Sequence, residues 1–191
     1  MLFRSLLLLS YLAFSPLKDT VTPPLIEPVY MSVCWRGNEN LERVRYNPKC
    51  TEEIVWKDLP IRVKISEDTP LFHRLAIQRT LYWWNFVLKR RVFVEVEYQY
   101  NVLVEPNWDC WTWRASATHF KEYGSLGGLV EICSILYDPE GAENTYRHEF
   151  GHILGLDHDP DHPDSLMYPY YGDDRILTPK DRGALIQRYG R

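Results

Sequence analysis

Apolar and polar residues alternate strictly through Ile61-Arg62-Val63-Lys64-Ile65, the period-two pattern of a half-buried strand. The period then changes. Thr69-Pro70 offers a helix N-cap and a proline at the first helical position, and Phe72, Ala76, Trp83 and Val87 recur at helical spacing to about Leu88. An amphipathic helix packed on a sheet is predicted here. Its Tyr82-Trp83-Trp84 cluster is assigned to the core, and His73 to the surface or the cap. Val92 to Tyr98 alternates again, with Glu95 and Glu97 on a solvated strand face. Trp108 to Phe120 reads as a strand or hairpin in which Trp111 and Trp113 share a face and His119 stands alone. Gly124 to Val130 leads into a strand over Glu131 to Tyr137, closed by Asp138-Pro139, and a helix is expected to begin within Gly141 to Thr145. The last helix is capped by Thr178, with Pro179 at its first position and Asp181 at its third. There are no internal repeats or low-complexity tracts.

Ahead of the first strand the pattern is different. Arg4 precedes a short apolar run, Leu6 to Phe14, which is the layout of a secretory signal peptide and too short for a membrane span of about 20 residues. Ala13-Phe14-Ser15 supplies small residues for cleavage, whereas Pro16 disfavours it. An uncleaved anchor and a buried N-terminal helix are the alternatives. From Pro16 to about Leu59 the chain is irregular, interrupted by Pro23-Pro24, Pro28 and Pro48. Three segments are therefore expected: a leader over 1–15, a proline-rich extension over 16–58 and a folded domain over 59–191.

Composition adds limits. A chain of 191 residues is long enough for one domain with a real core, and a net charge of −4 gives no reason to expect nucleic acid as a partner. Membrane contact is expected only if the leader is retained; otherwise the protein is secreted or extracytoplasmic, and a monomer. Cys34, Cys50, Cys110 and Cys133 form an even set suited to two disulfides in an exported protein. Three connectivities are open. Pairing Cys34 with Cys50 and Cys110 with Cys133 keeps each bridge within its own region. No two cysteines have the spacing of a cysteine–zinc site.

The chemistry concentrates in His148-Glu149-Phe150-Gly151-His152-Ile153-Leu154-Gly155-Leu156-Asp157-His158, an HExxHxxGxxH pattern. Two histidines four apart project from one helix face and can hold one metal ion. Glu149, beside the first, can reach a water on that metal. Gly155 can adopt the left-handed conformation that ends a helix, which lets His158 return as a third ligand. Three neutral imidazoles leave a tetrahedral zinc one open position, the mark of a catalytic rather than a structural site. Further on, Asp159-Pro160-Asp161-His162-Pro163-Asp164 is an acidic turn. Its aspartates could bind Ca2+, though a solvated turn explains them as well, and His162 is a loop residue.

Ser165-Leu166-Met167-Tyr168-Pro169 then follows. The long zinc motif succeeded by this methionine turn resembles the metzincin clan of zinc endopeptidases. Leu166-Met167-Tyr168-Pro169 with Tyr171 is most similar to its matrixin (matrix metalloproteinase-like) branch. Trp84-Asn85 with Phe93-Val94-Glu95-Val96, and Leu177-Thr178-Pro179-Lys180-Asp181 ending at Tyr189-Gly190, resemble further matrixin stretches, so the likeness spans roughly residues 59 to 191. Asp159 departs from it: matrixins commonly carry a small hydroxyl residue there, and an aspartate is more like the adamalysin branch.

The resemblance implies an α+β fold: a small, twisted, mostly parallel sheet with an antiparallel edge strand, two long helices, a zinc cleft, the Met-turn and a C-terminal helix. It implies Zn2+ on His148, His152 and His158, Glu149 as general base, and Met167 as an apolar floor that does not touch the metal. The edge strand that would hold a peptide backbone falls near residues 124–130, with Gly128 and Leu129 binding substrate, although a plain glycine-rich turn accounts equally for the glycines. Tyr168, Pro169 and Tyr171 would wall the pocket for the first side chain after the cut, suggesting an apolar preference. The partners implied are proteins or peptides. Cys34 lies in Val33-Cys34-Trp35-Arg36-Gly37, which does not match the inhibitory sequence of matrixin pro-segments, so a structural disulfide is the reading adopted. No histidine and aspartate set for a second, structural zinc is found near His119. A catalytically silent binding module of the same fold, or a peptidase for one dedicated partner, is the alternative; a silent relative would have no chemical need for Glu149.

Overall fold

The computed structural model describes residues 55–190 apart from 109, 111–114, 123–124, 134–138 and 171–174. The expected leader, the proline-rich extension as far as residue 54, with Cys34 and Cys50, and the residues Trp111, Trp113 and Tyr171 lie outside that set.

Strand β1 (Ile61–Ile65) buries Ile61, Val63 and Ile65, as its alternation requires. It pairs in parallel with β2 (Phe93–Glu95) on one side and β3 (Val102–Asn107) on the other. Beyond β3 lies β5 (Ser125–Cys133), also parallel, and then β4 (Ala115–Glu122), antiparallel to β5. The order β2-β1-β3-β5-β4 thus gives a five-stranded, mostly parallel sheet with one antiparallel edge, as expected. Helix α1 (Leu71–Val87) follows β1, α2 (Pro139–Ile153) follows β5, and α3 (Pro179–Tyr189) closes the fold. Helix α2 packs on β4, β5 and α1, and Phe150 meets Phe93 edge-to-face at 5.2 Å. No helix among the described residues is long and apolar enough to cross a membrane.

Two features of the topology depart from the pattern. Strand β3 falls between Tyr98 and Trp108, where the pattern assigns no element, and it carries Pro106 near its end. Its pairing with β1 stops at Val104, however, so one side of the chain is already unpaired where the proline lacks its N–H. The second departure concerns the edge. It is β4, not the segment near 124–130. Gly128 and Leu129 lie in β5, paired with Val102 and Leu103 on one side and with His119 and Thr118 on the other, so their strand offers no open edge. Gly128 is small for another reason: a Cβ there would come within 2.9 Å of Ile153 Cδ1 and 3.2 Å of Val102 Cγ2. The glycine lets the metal helix approach the sheet.

Helix α1 buries His73, Ala76, Ile77, Thr80, Leu81 and Trp84, a stripe rotated by one position from the expected Phe72-Ala76-Trp83-Val87. Polar residues within the stripe obscured it. His73 is neither a surface nor a cap residue; it is buried, with its Nδ1 hydrogen-bonded to the Tyr146 hydroxyl of α2. Phe72 and Trp83 pack half-buried at its margin. The helix begins one residue later than expected, with Pro70 at the N-cap and no side-chain cap; the Thr69 hydroxyl is buried and makes no hydrogen bond among the described residues. Glu95 is not solvated either. It accepts from Arg74 at 3.3 Å and Gln78 at 2.8 Å, tying β2 to α1, while Glu97 is exposed.

Other expectations hold. Thr178 Oγ1 caps α3 by accepting from the Asp181 amide at 3.1 Å, with Pro179 at the first position. Cys110 and Cys133 form a disulfide that joins the chain just after β3 to the end of β5. The packing also reaches back past Leu59: Trp56 is buried and donates its indole N–H to Ile153 O at 2.6 Å.

Candidate metal centre and active site

The C-terminal half of α2 carries His148 and, in the last turn, His152 on one face, as their spacing dictates. Gly155 has φ 86°, the left-handed region. With it come the two bonds of a Schellman ending: Gly155 N–H to His152 O at 2.8 Å and Leu156 N–H to Gly151 O at 3.0 Å. Four more side chains reach the helix end. Trp56 and His119 both donate to Ile153 O, Tyr189 donates its hydroxyl to Leu154 O at 3.2 Å, and Arg188 donates to Gly155 O at 2.9 Å. The carbonyls that a helix C-terminus leaves open are thus filled from β4, from α3 and from the chain before β1. His119, expected to stand alone, is buried on β4 and takes part in this cap.

The turn at Gly155 brings His158 back to the helix. Its Nε2 lies 3.2 Å from that of His148 and 3.1 Å from that of His152, and those two are 3.0 Å apart. His148 Nδ1 is 2.7 Å from Leu166 O, and His152 Nδ1 is 2.8 Å from Leu156 O. A carbonyl only accepts, so in both rings Nδ1 carries the proton and Nε2 keeps its lone pair. Lone pairs converging this closely repel unless a cation lies among them. Three nitrogens bound to a tetrahedral zinc would be about 3.3 Å apart, so the set fits that ion. It is the only His, Cys, Asp and Glu cluster among the described residues compact enough for one ion; the aspartates of the 159–164 turn do not converge.

Met167 is fully buried beneath α2. A Cβ on Gly151 would fall 2.6 Å from Met167 Sδ, which explains a glycine between the ligands. The turn is fastened to the motif by the His148–Leu166 bond and by Asp159 N–H to Met167 O at 2.8 Å. The Asp159 side chain is buried and accepts from His162 at 2.8 Å; this bond raises the His162 pKa. His162 is therefore a loop residue with a defined partner. Tyr168 and Pro169 lie half-buried next in the chain.

Glu149 is buried. Its carboxylate accepts the backbone amide of Ala117 on β4, and its Oε2 has no partner among the described residues. Burial pushes its pKa to about 8, against the opposing pull of the Ala117 amide. Burial likewise lowers His148 to about 4 and His152 well below 6.5; the charges of neighbouring histidines and, for His148, of Arg175 act in the same direction. The signs fix a pH profile for the metal-free protein. Between about 4 and 6.5 the unfolded chain binds protons that folded His148 and His152 refuse, so stability falls as pH falls. Folded Glu149 instead retains, up to about 8, a proton that the unfolded chain releases near 4.5, so its contribution falls as pH rises. Two histidines outweigh one glutamate below 6.5, and above it the glutamate acts without them. Thermal midpoints measured in excess chelator should therefore peak near pH 6.5, and Glu149→Gln should remove the decline above it. A midpoint that climbs steadily to pH 8 would contradict these assignments.

Residues 112–190, from just before β4 through α3, match the family model of the matrixins. The domain is matrixin-like. Sheet order, zinc motif and Met-turn accord with that family's metzincin architecture, and the family is one of zinc metallopeptidases. No curated protein matches the chain. In this matrixin-like site, pattern reading missed Ala117, whose contact with Glu149 is made by backbone, and the capping roles of Trp56 and His119, which are separated from Ile153 by long stretches of chain. It also missed Arg175.

Proposed function

We propose that this chain is an exported zinc endopeptidase that hydrolyses internal peptide bonds, with Glu149 as general base. The observation that carries the proposal is the convergence of the three Nε2 atoms within 3.2 Å, next to a buried carboxyl with an unpartnered oxygen. Zinc held by His148, His152 and His158 would polarise the scissile carbonyl and acidify water to a pKa of about 7. Glu149 would take the proton of the attacking water and return it to the leaving amine. An isolated carboxyl of pKa about 8 is a poor base at neutral pH, but a dication nearby favours its ionised form. The Ala117 amide fixes one oxygen of Glu149, leaving the other to work.

A peptide in extended form would pair with the outer edge of β4, the antiparallel edge strand, and not with Gly128 and Leu129. Tyr168 and Pro169 would wall the site of the residue after the cut. The leader-like N-terminus supports export. The test is cleavage of a mixed peptide library by the purified chain without its leader, with and without a zinc chelator. Internal cuts that vanish on chelation and return with zinc are expected. A zinc-loaded chain that cuts nothing would favour the silent binding module.

A further inference from the structure

Arg175 sits where the chain returns to the Met-turn. Its neighbour Ile176 is locked to that turn, donating its amide to Asp164 O at 3.0 Å and accepting from Leu166 N–H at 2.6 Å. The Arg175 guanidinium lies over the Tyr168 ring, 4.6 Å from its centroid. Its one hydrogen bond among the described residues is a long one, Nη1 to Ser165 O at 3.5 Å, and Nε is buried without a partner. No carboxylate among the described residues pairs with it, although Asp164 acts on it from farther away. It is anchored close to the His148 side of the site: Ser165, whose carbonyl it meets, directly precedes Leu166, whose carbonyl accepts from His148 Nδ1 at 2.7 Å. A guanidinium presents five donors in a planar fork matched to carboxylates, and here most of that fork is unused.

We propose that Arg175 is a specificity residue that binds the side-chain carboxylate of an Asp or Glu as the substrate residue following the cut. The inference rests on the endopeptidase reading and on Tyr168 walling that position. It replaces the apolar preference inferred from the wall alone: the Tyr168 ring supports the cation and keeps its plane fixed. A desolvated charge-assisted pair of this type selects for its partner by about 10- to 100-fold.

The experiment uses peptides identical except for Glu or Gln after the cut, each with a distant, amidated C-terminus. They are given to the wild-type chain, Arg175→Lys and Arg175→Met, with zinc content and thermal midpoint checked for each. The Glu/Gln ratio of kcat/KM within one protein cancels any general loss of activity. A wild-type ratio of about 10 to 100 that shrinks in Arg175→Lys and approaches one in Arg175→Met supports the proposal. A wild-type ratio of one in every peptide overturns it, whatever the variants do. A high ratio that survives in Arg175→Met overturns the role of Arg175. Absence of any cleavage by zinc-loaded wild-type chain defeats the endopeptidase reading itself, a distinct result.

Discussion

Glutamine at position 149 should lower kcat by roughly two to four orders of magnitude while zinc content stays at that of the wild type. The substitution keeps the volume of a side chain that is only 7% exposed, and the amide oxygen can still accept the Ala117 N–H. What it removes is the capacity to take a proton. The histidines are held independently, by Leu166 O, Leu156 O and the Gly155 turn, so their geometry has no reason to change. Metal analysis of the purified variant, with turnover on one good peptide, checks both halves of the expectation. Near-normal turnover would remove Glu149 from the mechanism. Loss of zinc would show that the carboxyl supports the ligand set.

Valine at position 155 should weaken both the fold and the zinc site. A β-branched residue at φ 86° is strained by about 1–3 kcal/mol, and the Schellman bonds that depend on that conformation are strained with it. For a domain of this size the thermal midpoint should fall by roughly 3–10 °C. Zinc affinity should fall further than stability alone requires, because the turn that stores the strain is what returns His158 to the other two ligands. Titration with a competing chelator at a temperature where the variant is folded separates the two effects. If affinity is unchanged there, His158 is positioned by the Met-turn and not by the glycine.

The metal site was legible because its logic is local. His148, His152, Gly155 and His158 lie within eleven residues, so helical periodicity and one left-handed residue determine their arrangement. Thr178 with Asp181 was legible for the same reason. Long-range choices were not. His73 read as a surface or cap residue and His119 as standing alone, since the partners that allow their burial, Tyr146 and Ile153, are tens of residues away. Which strand forms the edge depends on sheet order: β5 looks like an edge from its glycines, yet Gly128 answers to the Ile153 side chain packed above it. Tyr168 and Pro169 were singled out as an apolar wall because a linear pattern does not show Arg175 lying across the ring.

Trp56 would matter to any shortening of the chain ahead of β1. Its indole and His119 share the Ile153 carbonyl, one residue after the second metal ligand, and its own amide meets the Tyr189 hydroxyl at 3.3 Å. A form beginning at Leu59 would keep every strand and helix described, yet it would expose the end of the metal helix to water on that side. Any trimming of the N-terminal extension would thus meet a limit set by the candidate site: removal up to Val55 would keep the Trp56 bonds to the end of α2, and removal of one further residue would break them.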